Sequence, residues 1–130
     1  MGERAPNLED IERLARDALA RIPEPFASHL SNIILMVEDW PSAELLNDMG
    51  IANPYDLTGL YEGRPVGEKS LDDFAGLPDK VTLFRRPLLD EWAETGLSLA
   101  ELVNHVVVHE IGHHFGLSDE QMEAIESELD

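Results

Sequence analysis

The order of hydrophobic periodicities along this 130-residue chain predicts an α+β domain, with helices packed on a small mixed β-sheet. Three observations carry that prediction. An apolar stripe of helical period opens the chain, two short strand-like runs occupy its middle, and a long capped helix followed by a shorter one closes it. Apolar residues make up 43% of the composition, enough to bury one ordinary core, so residues 1–130 are expected to form a single domain.

Leu8, Ile11, Leu14, Ala15, Ala18, Leu19 and Ile22 fall on one helical face, with Asn7 as N-cap and Pro23 as the stop. Asn32 to Glu38 contains the run IILMV, which reads as a strand buried on both faces. Ser42 caps a short helix that runs through Met49 and ends at Gly50. Residues 51–79 are rich in Gly, Pro and Asp and read mostly as loop, with Gly59 to Gly63 as a short strand. Lys80 to Arg86 alternates as a strand should, and Pro87 closes it. Leu88 to Glu94 reads as a brief helical turn ended at Gly96. Ser98 and Glu101 form an S-x-x-E capping box for a helix reaching Phe115, with Gly116 just beyond its end. Ser118 and Gln121 repeat the pattern for a last helix whose Met122, Ile125 and Leu129 face the core.

Charge narrows the range of partners. Nine basic and 27 acidic residues give a formal charge of −18, which repels nucleic acid and anionic membrane surfaces alike. No cysteine is present, so any metal site must use His, Asp and Glu. The start MGERAPNLED has no apolar signal segment, and Pro6 stands where a myristoylation motif wants Ser or Thr. A cytoplasmic location is therefore expected.

The chemistry concentrates at His109-Glu110-Ile111-Gly112-His113, an H-E-x-x-H motif on the long helix. Residues four apart lie one turn above each other, so both imidazoles can reach one cation. Glu110 is rotated by about 100° from His109. It then stands beside the metal as a base for a metal-bound water. Two residues after His113 comes Phe115, then Gly116, then two more residues and Asp119. A left-handed turn at Gly116 can bring Asp119 round as third ligand and leave a fourth position open, as a catalytic zinc site requires. The reading is thus His109, His113 and Asp119 as zinc ligands with Glu110 as the catalytic base.

Other residues fit the role of ligand less well. His105 lies four residues before His109, but position 106 is Val and no glycine turn follows, so the upstream pair lacks a base. His105 and His113 are about 12 Å apart along the axis and cannot share an ion. His105 is expected to support the site, not to ligate, and His114 and His29 are given no role. Two histidines and a carboxylate also describe non-haem iron centres, but the adjacent glutamate and helical spacing favour zinc.

The extended run resembles the metzincin consensus with Asp in the last position, as in the snapalysin-type variant. The chain as a whole resembles the family of minimal bacterial zincin-like metallopeptidases. The residues that carry this are Gly59-Leu60-Tyr61-Glu62-Gly63, Leu77 through Pro87 (LPDKVTLFRRP), and His109 through Asp119 (HEIGHHFGLSD). The resemblance implies a minimal zincin core built from a small sheet and an active-site helix. It departs from metzincins in having only residues 120–130 after Asp119, so Met122 is expected in the core and not in a methionine turn.

Other features are less specific. Tyr61 and Tyr55 are the candidates for an oxyanion donor, with a packing role as the default. Arg85 and Arg86 are expected at the surface. Residues 80–86 are the candidate edge for aligning a substrate by strand addition. The acidic residues Glu120, Glu123, Glu126, Glu128 and Asp130 read as a solvated face. The expected function is zinc-dependent hydrolysis of peptide bonds in a peptide or protein substrate, without nucleic acid or membrane. The alternative is a zinc-binding regulatory or interaction module whose site is slow or occluded. A metal-dependent nuclease is disfavoured by the charge and by Glu110.

Overall fold

In the computed structural model, residues 5–24, 26–30, 33–63 and 79–127 are described. The first helix, α1 (Leu8–Ala20), begins with a reciprocal box in which Asn7 accepts from the Asp10 N–H and Asp10 accepts from the Asn7 N–H. A single turn, α2 (Phe26–His29), follows. Then come β1 (Ile34–Glu38) and α3 (Ala43–Met49), the latter capped by Ser42 and closed by Gly50. A 3₁₀ turn over Pro54–Asp56 leads to β2 (Gly59–Glu62), and β3 (Lys80–Phe84) runs directly into α4 (Arg85–Thr95). The chain closes with α5 (Leu99–Phe115) and α6 (Asp119–Ser127). Leu129, Asn32 and the loop expected over residues 64–78, including Leu77 and Pro78, lie outside the described residues.

The sheet is mixed, in the order β1-β3-β2. β1 runs parallel to β3 with Leu35 opposite Val81, and β2 runs antiparallel to it with Tyr61 opposite Val81. Together with the six α-helices of the described residues this makes the α+β class anticipated. β3 is the central strand and is fully flanked, so its Val81, Leu83 and Phe84 are buried. That position overturns the expectation that residues 80–86 offer a free edge; among the described residues the edges are β1 and β2.

Two further expectations change. β1 is not buried on both faces: Ile34 is 42% and Met36 41% exposed, because this strand pairs on one side and packs on α1 with the other face open. Pro87 does not end a strand but sits in the first turn of α4, where a missing N–H costs no helical hydrogen bond. What read as a brief turn is therefore an eleven-residue helix.

α5 is the spine of the molecule. Leu102, Val103, Val107 and Ile111 are buried against α1, α4, β2 and α6, sharing one core with Ile11, Ala15, Val81, Leu83 and Leu88. Burying one such aliphatic side chain contributes about 1.5–3 kcal/mol. A helix held on so many sides is a rigid platform, and its remaining face carries His105, His109 and His113. Among the described residues, no helix is long and apolar enough to cross a membrane.

Candidate metal centre

The Ser98–Glu101 box starts α5 as expected, with Ser98 Oγ accepting from the Glu101 N–H at 3.1 Å and Glu101 accepting from the Ser98 N–H at 3.0 Å. Gly116 ends it with φ +72°, a left-handed conformation that glycine adopts without steric cost. The Gly116 N–H then bonds the His113 carbonyl, and the Leu117 N–H bonds that of Gly112. The turn folds α6 back against α5, and Ser118 caps α6 through Gln121. Met122 is buried in this helix pair, in the core as expected.

The sequence-predicted residues divide between two sides of α5. Glu110 faces β2, where Gly59 lies so close that a methyl group there would stand 3.4 Å from the Glu110 Cγ. Burial raises the Glu110 carboxyl from its ordinary value, opposed by the nearby His113 imidazole and a hydrogen bond from the Tyr61 backbone. His109 and Asp119 line a cleft of about 620 Å³ on the α6 side. The His109 and His113 rings are edge-on, with centroids 5.9 Å apart.

The tightest gathering of metal-type donors among the described residues includes His109 but neither of its expected partners. Among the described residues, His105, His109 and Glu126 form a group whose donor atoms all lie within 4.8 Å of one another. His105 Nδ1 is 2.6 Å from Glu126 Oε1, and His109 Nε2 is 3.2 Å from Glu126 Oε2. The His105 and His109 rings sit 4.0 Å apart between centroids. His113 and Asp119 are not in this group. Two imidazoles and a carboxylate are a donor set that suits zinc, so the residues present fit such an ion.

Glu126 is thus no member of a solvated acidic face: its side chain is only 21% exposed and is turned onto two histidines. The signal available in sequence was the ladder His105, His109, His113, three imidazoles at four-residue spacing. Glu126 itself could not be found that way, because its placement depends on how α6 crosses α5.

A second polar cluster adjoins the β2 side. The Tyr61 hydroxyl donates to Asp79 Oδ2 at 2.8 Å, and burial together with that carboxylate pushes the phenol far above its ordinary pKa. The Tyr61 ring stacks on His114 with centroids 4.1 Å apart, and His114 Nε2 lies 3.8 Å from the same Asp79 oxygen. Tyr55 instead packs edge-on against Trp40, away from the histidines. Arg85 ties Asp39 at 2.7 Å to the Pro6 carbonyl at 2.8 Å, and Arg86 lies over the Trp40 ring, so both serve the scaffold.

Residues 30–129 match the family described as zincin-like metallopeptidase. No curated protein matches the chain.

Proposed function

The chain belongs to the zincin-like metallopeptidase family, and from that premise we propose that it is a zinc-dependent peptidase with His109, His113 and Asp119 as ligands and Glu110 as general base. The observation that carries this reading is the placement of Glu110. It is the H-E-x-x-H glutamate, it is half-buried beside strand β2, and burial raises its carboxyl from its ordinary value. A carboxylate made more basic accepts a proton from water more readily. Bound zinc supplies Lewis acidity, polarising a peptide carbonyl and making a water easier to deprotonate.

The chain's own residues do the rest. Glu110 accepts a proton from the attacking water and delivers it to the leaving amine. The hydrogen bond from the Tyr61 backbone holds the Glu110 carboxylate in place. β2 has one unpaired side among the described residues, and there an extended substrate adds as a further strand. Zinc-dependent cleavage of an unbiased peptide library tests the proposal. Cleavage lost on chelation and restored by zinc supports it, and cleavage indifferent to chelation refutes it.

One observation favours a second reading, a metal-binding module with a slow or occluded site. The Nε2 of His109 already faces Glu126, so that carboxylate must yield, or join the metal, before His109 serves the HExxH set. A chain that holds zinc and cleaves nothing in the library would be of this second kind.

A further inference from the structure

His105 and Glu126 have no part in the ligand set proposed above, yet they hold His109 between two helices. Two ligands on one tetrahedral zinc, each at about 2.0–2.1 Å, stand about 3.3 Å apart. His109 Nε2 and Glu126 Oε2 are 3.2 Å apart, and the same carboxylate reaches His105 Nδ1 with its other oxygen. The surroundings also suit a cation. The cleft is lined by Glu101, Asp119 and Glu123 besides Glu126, and, among the described residues, by no lysine or arginine. The His105 side chain is 44% and that of His109 27% exposed, so an ion can enter from solvent.

We propose that His105, His109 and Glu126 form a second seat for a divalent transition metal, one helical turn before the HExxH pair. The proposal rests on the peptidase reading in one respect, that His109 is also a ligand there. A single His109 cannot point at both places with the same nitrogen, so the two seats exclude each other. An ion in the upstream seat leaves Glu110 and His113 without metal and the site silent. The position of α6, which carries Glu126, then decides which seat is filled.

Cobalt(II) titration of the metal-free full chain, read by its visible absorption, tests this without reference to turnover. The parent binds one equivalent. The His113→Ala/Asp119→Ala double variant still binds one equivalent, with affinity lowered about 10- to 100-fold, the scale of a modest ligand-shell change. Adding Glu126→Gln or His105→Ala to that variant removes binding, and His109→Ala alone removes it from the parent. The second seat is overturned if the double variant binds no cobalt while its circular dichroism is unchanged. It is equally overturned if adding Glu126→Gln leaves the double variant's binding intact. An unchanged affinity in the double variant supports the upstream seat and instead sinks the HExxH ligand assignment, so the two failures are distinct.

Discussion

Gly112 of α5 lies flat against Met122 of α6: a methyl group added at Gly112 would overlap the Met122 sulfur and stand 2.7 Å from its Cγ. This close approach fixes α6 on α5 between the two histidines of the motif and Glu126. Gly112→Ala should cost about 1–3 kcal/mol by overpacking. That outweighs the gain of up to about 1 kcal/mol from replacing Gly by Ala inside a helix. In a Met122→Ala background the obstacle is gone, and the same substitution should become neutral or stabilising. Urea unfolding of the four proteins in this cycle checks the change of sign; equal effects in both backgrounds would contradict the contact.

Gly116 calls for a different argument. A Cβ there meets nothing within 4 Å, so any cost of a side chain comes from its φ of +72° and not from crowding. Gly116→Ala should lose about 1–2 kcal/mol, and Gly116→Asn less, since Asn tolerates the left-handed region. Denaturant midpoints decide it. Equal stability of all three proteins would show that the turn relaxes.

The start of α5 predicts a pH dependence. Hydrogen bonds from the Ser98 backbone and hydroxyl hold the Glu101 carboxyl below its ordinary pKa. A carboxylate depressed in the folded state stabilises the protein above its unfolded pKa, and that contribution is lost as pH falls through the folded value. Glu101→Gln should therefore be less stable than the parent near pH 6, and the difference should shrink as pH falls below the usual carboxylate range. Thermal unfolding across this window tests it; a gap that is constant with pH would contradict the assignment.

Tyr61 separates a structural from a chemical hydroxyl. Its O–H is committed to Asp79 while its ring stacks on His114 and its backbone serves Glu110. Tyr61→Phe should cost about 1 kcal/mol of stability and lower peptide turnover by less than about tenfold. A loss of about 10²- to 10³-fold, the scale of a missing oxyanion donor, would show that the hydroxyl leaves Asp79 to serve the reaction.

Features set by local chemistry were readable from the sequence. The caps at Asn7, Ser42, Ser98 and Ser118 and the glycine stops at 50, 96 and 116 involve residues within a few positions of one another. The H-E-x-x-H spacing is likewise a property of a single helix. The features that differ from the sequence expectation depend on partners distant in the chain. IILMV looks doubly buried, yet Ile34 and Met36 are exposed because α1 covers only the face of β1 that carries Leu35. Pro87 reads as a terminator equally well for a strand end and for a helix start, and only the pairing of β3 decides. Glu126 meets His105 and His109 because Gly112 lets α6 approach, a relationship no periodicity encodes.

The most direct measurement is of Glu110→Gln, read for zinc content and peptide turnover on the same sample. Gln keeps the volume and hydrogen-bonding capacity of the side chain but cannot act as a base. If Glu110 moves the proton and does not hold the metal, the variant keeps the parent's zinc stoichiometry and its turnover falls by about 10²- to 10⁴-fold or more. Loss of zinc along with activity would make Glu110 a ligand, and turnover equal to the parent's would mean that the chemistry is not that of a zincin.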